Sequence, residues 1–176
     1  MTTESAAVDH PSRRLVVALP NTYDNIRSQY ETLVPEADSA RFFQMASWQA
    51  TLDLADINAP YGFMRYFRQD VTATMASSLS FWQATQYLMG NHTIAERMFR
   101  YEPSVMLHAP LRTLIYADPD GDTKLAVDQP SLLFDSYGRP EIATVGRELD
   151  ALLARLIGLL GGEAPAQLKT EPAEAR

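Results

Sequence analysis

Apolar residues along this chain recur in two rhythms, every second position or every third to fourth, and the switches between them mark the elements. Residues 15–19, Leu-Val-Val-Ala-Leu, are a short apolar run stopped by Pro20 and predict a buried strand. Asn21 or Thr22 can cap a first helix, in which Tyr23, Ile26, Tyr30 and Leu33 fall at helical spacing before Pro35. A second helix is predicted after Asp38 or Ser39, with Phe42, Met45, Trp48 and Leu52 on one face. Ala59-Pro60-Tyr61-Gly62 punctuates the chain. The aromatic-rich residues 63–69 then predict a strand, with Phe63, Arg65 and Phe67 on one face and Met64, Tyr66 and Arg68 on the other. Residues 71–80 read as a loop and 83–89 as the next strand. A helix over 92–100 comes after Gly90-Asn91 and stops before Pro103.

The clearest hairpin has residues 111–116 and 123–127 flanking Asp118-Pro119-Asp120-Gly121. Proline at the second turn position and glycine after it suit a type I turn closed by a left-handed residue. The longest stripe is Ile142, Val145, Leu149, Leu152, Leu153, Leu156 and Leu160, bracketed by Pro140 and Gly161-Gly162. Burying each such side chain is worth roughly 1.5–3 kcal/mol, so this helix is expected to lie on a sheet. The resulting order, β-α-α-β-β-α-β-β-α, contains direct strand-to-strand steps that require antiparallel pairing. An α+β fold is therefore predicted. Residues 14–161 form its single domain, and residues 1–13 and 162–176, which lack periodicity, are expected to be mobile tails.

Composition narrows the function classes. The 176 residues are 46% hydrophobic and 21% charged, the balance of one folded domain. The formal net charge of −7 argues against nucleic acid as a partner. No cysteine is present, which removes disulfides, thiolate nucleophiles and iron–sulfur clusters, and only three histidines remain for metal or proton chemistry. The most apolar stretch, 149–160, is interrupted by Asp150 and Arg155 and is too short to span a bilayer, so no membrane partner is expected. The polar residues 1–14 carry no signal-peptide core, which predicts a cytoplasmic protein. Asp118, Asp120, Asp122 and Asp128 lack the glutamate and glycine placement of a calcium loop, and turn chemistry accounts for them.

From 87 to 131 the chain reads YLMGNHTIAERMFRYEPSVMLHAPLRTLIYADPDGDTKLAVDQPS. Its Gly90-Asn91 step into a helix, the Ala109-Pro110-Leu111-Arg112 entry to a strand, the Asp-Gly turn and the later Asp-Gln-Pro-Ser resemble the domain-of-unknown-function 302 family. The downstream RELDALLARL, 147–156, fits that family's final helix. The first half of the chain matches only loosely. The resemblance implies a TATA-binding-protein-like arrangement, an antiparallel sheet curled around a long C-terminal helix. It implies no activity and no catalytic motif.

The residues themselves nominate a site. Asn91 and His92 stand at the first turn of a helix, where free N–H groups and the dipole favour an anion. His108 and Arg112, at the entry to the next strand, could complete a polar rim, with Met64, Tyr66 and Tyr87 as the apolar wall. His92, His108 and Glu96 would suffice for a metal or haem, yet no spacing brings them together; no metal site is predicted, and the sequence names no cofactor either way. Arg65 or Arg68, facing a cavity, would anchor a carboxylate or phosphate; otherwise each is a solvated strand arginine. There is no Ser-His-Asp order, Gly-rich phosphate loop or paired-carboxylate spacing, so no catalytic residue is named. The leading expectation is a module binding a small apolar or anionic ligand, or a partner chain, in a cavity between sheet and helix. The alternatives are a small-molecule enzyme using His92 and His108 as acid–base or ligating groups, and a purely structural homodimer joined through the aromatic strand; an exposed strand edge and that strand predict a homodimer rather than a monomer.

Overall fold

Two-residue alternation becomes two unlike sheet faces. The computed structural model describes residues 5–169 apart from Leu79. Its strands are β1 (Arg14–Ala18), β2 (Met64–Asp70), β3 (Gln83–Gly90), β4 (Leu111–Ala117) and β5 (Thr123–Asp128). They form one sheet in the order β1-β5-β4-β3-β2, antiparallel at every step. On one face Leu15, Val17, Tyr87, Met89, Ile115 and Leu125 are buried in a single core. Helices α1 (Tyr23–Leu33) and α7 (Pro140–Leu159) contribute Ile26, Tyr30, Ile142, Leu149, Leu153 and Leu156 to that core. The layer is also pinned by polar pairs, with Tyr23 Oη 2.6 Å from Thr85 Oγ1 and Tyr30 Oη 2.9 Å from Thr113 Oγ1. Each satisfies a hydroxyl that would otherwise be buried alone. The opposite face carries half-exposed Val16 and Phe67 and no covering helix among the described residues.

The α+β class, the antiparallel sheet, the hairpin and the long last helix agree with the sequence reading. In the hairpin turn Gly121 N–H donates to Asp118 C=O at 3.0 Å, and Gly121 takes the left-handed φ of 91° that favours glycine. Leu152 lies at the edge of the α7 stripe and is only partly buried.

Several local expectations change. The second helix is two, α2 (Ser39–Phe42) and α3 (Trp48–Asn58), because Ser47 starts a new helix by accepting from Ala50 N–H at 3.2 Å. The anticipated face of Phe42, Met45, Trp48 and Leu52 is consequently broken, and α3 buries Leu54 and Ala55 instead. The segment read as a loop from residue 71 opens with α4 (Val71–Thr74), capped by Asp70. The unforeseen α6 (Pro130–Asp135) packs on α7. Its first turn is held by buried Asp150, which accepts from Ser131 N–H at 2.9 Å and from the Ser131 hydroxyl at 2.6 Å. Gly146 allows the close approach, since a Cβ there would lie 3.1 Å from both Phe134 and Ser131.

The C-terminal segment does not leave the domain at residue 162 as expected. Leu168 is buried in the core, and Gln167 C=O accepts from Gln129 Nε2 at 3.1 Å. One leucine outside any periodic pattern is enough to dock it. On the N-terminal side, residues 5–13 are exposed, although the His10 ring lies 5.4 Å from that of His108. The outer parts of both expected tails, residues 1–4 and 170–176, lie outside the described residues. Among the described residues no helix is long and apolar enough to cross a membrane.

Candidate functional site

β3 ends and β4 begins at the same end of the sheet, and α5 (His92–Phe99) starts there. Asn91 caps α5 by accepting from Thr93 N–H at 3.0 Å and from the Thr93 hydroxyl at 2.7 Å. His92 N–H donates to Tyr66 Oη at 3.0 Å, and the N–H groups of Ile94 and Ala95 donate to Asn91 C=O. The first-turn donors are therefore taken, and the expected anion site at this helix start is not available. The polarity that sequence reasoning assigned to a ligand is used by the protein itself.

Tyr66 reaches α5 because β2 carries a bulge between Arg65 and Phe67. An extra residue in one strand breaks alternation and re-aims a side chain. Tyr66 Oη lies 2.8 Å from His92 Nδ1, and the His92 ring meets Phe42 edge-on at 4.4 Å. Burial lowers the His92 pKa, so the neutral ring is favoured. The Tyr66 hydroxyl thus meets both the backbone N–H and the ring Nδ1 of His92.

The bulge also overturns the expected split of the arginines. Arg65 stands opposite Met89 and Arg68 opposite Tyr87, on one face, and both meet Glu31 of α1. Arg68 Nε donates to Glu31 Oε1 at 2.9 Å, the Tyr87 hydroxyl donates to the same oxygen at 2.8 Å, and Arg65 Nη1 lies 3.6 Å from Glu31 Oε2. Burial alone would raise the Glu31 pKa, but the hydrogen bonds from Arg68 and Tyr87 and the charges of Arg68 and Arg65 hold it below the usual range. Burial, reinforced by the Glu31 charge, pushes the Tyr87 hydroxyl far up.

Beside the Tyr66–His92 pair lies a chamber of about 370 Å³ whose wall includes Leu88, Ile94, Met98, Phe134 and Leu149. Its polar side chains, Tyr66, Asn91 and His92, are those already bonded within the protein. A second cavity of about 300 Å³ adjoins it, sharing Met106 and Pro110 and lined by His108, Arg112 and Asp128.

The nominated residues therefore separate into three places. Tyr66, Asn91 and His92 line the chamber, and His108 and Arg112 line the polar cavity. Met64 is wholly buried in a satellite cluster with Ala37, Ala55 and Ala59, and Tyr87 is in the core, its ring 4.6 Å from that of Tyr30. Neither provides the expected cavity wall. His92 and His108 line different cavities, and His108 packs near His10, Phe134 and Tyr137. Burial and the nearby His10 lower the His108 pKa, with Asp128 opposing. Glu96, the carboxylate considered for a metal, pairs with Arg100, and no metal-holding group of three acidic or histidine side chains occurs among the described residues. Sequence reasoning missed the wall residues Leu88, Ile94, Met98, Phe134 and Leu149. The four-residue step from Ile94 to Met98 marked one α5 face, but nothing local told a cavity wall from ordinary core.

Fold and cavity together define a small α+β protein whose single antiparallel sheet carries an apolar chamber at one end. The chain belongs to the family described as domain of unknown function DUF302, whose model matches residues 49–160. It is similar in fold to a solved structure described as an uncharacterized conserved protein DUF302 from Bacillus stearothermophilus. The TM-score is 0.61 and the identity 15%, over 84% of this chain and 97% of that one. No curated protein matches the sequence.

Proposed function

We propose that this protein binds a small, predominantly apolar molecule in the chamber beside α5. The observation that carries this reading is a chamber of about 370 Å³ whose wall is apolar apart from side chains already bonded to one another. That volume falls within the range of small-molecule sites. A ligand there gains by leaving water, and it need not break the Tyr66–His92 or Asn91–Thr93 contacts to enter. The histidines do not act as a pair. His92 shapes the rim as a neutral ring, and His108 belongs to the neighbouring cavity.

The test is thermal unfolding with and without 1-decanol, which matches the wall chemistry. Decanol is expected to raise the melting temperature of the unmodified protein in a saturable way. It is expected to leave an Ile94→Trp variant unshifted, because an indole on the chamber wall takes the ligand's space. Equal shifts in both proteins would place binding elsewhere and defeat the proposal.

A second reading, homodimer formation, draws on the uncovered sheet face. Val16, Phe67 and Trp82 are about half exposed, at 50%, 46% and 50%. The two edges differ as well. The β2 edge is occupied where Arg65 N–H donates to Pro35 C=O at 2.8 Å and Ala37 N–H donates to Arg65 C=O at 2.9 Å. β1 has no strand on its outer side among the described residues. Sedimentation at micromolar concentration that gives a dimer in the unmodified protein and a monomer in Val16→Glu would support association through this face.

A further inference from the structure

The polar cavity beside the chamber has a charge arrangement that the chamber reading does not use. Arg112 stands opposite Leu88 of β3. One step beyond the Thr113–Val127 pair it neighbours Asp128, which in turn stands opposite Arg14 of β1. The uncovered face thus carries, side by side, a chamber leucine, a guanidinium, a carboxylate and a second guanidinium. Elsewhere on the strands, and on or just after α5, the arginines are matched, Arg65 and Arg68 by Glu31, Arg97 by Glu148 and Arg100 by Glu96. Arg112 and Arg14 have no carboxylate within ion-pair distance among the described residues, Asp128 included. Of these side chains Arg112 and Asp128 line the polar cavity and Arg14 does not, so Arg112 is an unpaired cation at the mouth of an apolar chamber.

The two cavities are continuous in their walls, since Leu88, Met106, Ala109, Pro110 and Leu111 line both. A molecule with its apolar body against Leu88 and Met106 on the chamber side would carry its end group towards Arg112. A planar guanidinium with free donors suits a carboxylate, which it can hold through two parallel hydrogen bonds. We infer that the chamber's ligand is an amphipathic acid whose apolar body fills the chamber and whose carboxylate is held by Arg112. This rests on the chamber reading and adds the chemical class of the ligand.

The experiment is isothermal titration of the full-length protein with decanoate and, separately, with 1-decanol, which has the same chain and no charge. Decanoate is expected to bind about tenfold more tightly than decanol, the gain of about one charge-assisted hydrogen bond. Arg112→Gln is expected to bring decanoate to the level of decanol while leaving decanol unchanged, and Arg112→Lys to keep part of the preference. Raising salt is expected to weaken decanoate and not decanol in the unmodified protein, a readout that needs no variant. Equal affinity for the two probes, or equal weakening of both by Arg112→Gln, would overturn the inference and leave the chamber reading standing. Binding of neither probe would overturn both.

Discussion

The bulge in β2 sends neighbouring side chains to two clusters with opposite characters. Towards α1, Arg65 and Arg68 join Glu31 and Tyr87 in a charged network on the covered face of the sheet. Towards α5, Tyr66 joins His92 in a neutral pair beside the apolar chamber. In the first cluster charge is matched by charge, and the contacts tie a helix to an edge strand. In the second the Tyr66 hydroxyl is bonded to His92, and the rest of the adjoining wall is mostly apolar. Seven residues of one strand thus serve a fold-holding function and a cavity-shaping one. Polar residues in a sequence do not announce which they serve until their partners are known.

The comparison breaks most readily at Phe134, which is wholly buried and yet lines the chamber. Phe134→Ala is expected to cost about 3–5 kcal/mol in a denaturant titration. A loss below about 1 kcal/mol would mean that the chamber wall is not part of the core. Glu31→Gln comes next, at about 1–3 kcal/mol after allowance for its partial exposure, because Arg65 and Arg68 lose their partner. Decanol binding should survive that change, and its loss would show that the two clusters are not separable.

Acid should act on the clusters in sequence. His92 and His108 have pKa values lowered from their usual 6.5, so the unfolded chain takes up their protons first. Their contribution is present above that value and is lost as the pH falls below it. The Glu31 pKa is lowered from 4.5, so its contribution is present above 4.5 and is lost on further acidification. Melting temperature is expected to fall in two stages, with Glu31→Gln reducing only the lower one, to which Glu102, Asp118 and Glu148, also lowered, contribute the rest. The smallest effect belongs to Tyr66→Phe, which removes the hydroxyl bonded to His92 and should cost about 0.5–1.5 kcal/mol by thermal or denaturant melts.

Legibility in the sequence followed the range of the interactions. Strands β4 and β5 and helix α7 were readable because their patterns are local and their turn and terminal residues adjoin them. Helix α6 was not, since its anchor Asp150 stands nineteen residues after Ser131 and its close packing depends on Gly146. The break between α2 and α3 turned on the single cap Ser47, against a helical spacing that continued through it. At the site, Asn91 and His92, expected as ligand donors, and Tyr66, expected as apolar wall, line one chamber and are hydrogen-bonded within the protein. Arg65 and Arg68 were assigned to opposite faces because strict alternation was assumed across a bulge that period-two reasoning does not anticipate, and the burial of Met64 and Tyr87 depends on distant partners in α3 and α1.

The chamber itself is tested most directly by its methionines. Met98 and Met106 line it, whereas Met64 lies in the satellite cluster. With carbon-13 on the methionine methyl groups, a decanol titration followed by NMR is predicted to shift Met98 and Met106 progressively to saturation and to leave Met64 in place. Unchanged Met98 and Met106 signals at saturating decanol, or shifts of equal size at all three, would contradict a binding site in the chamber.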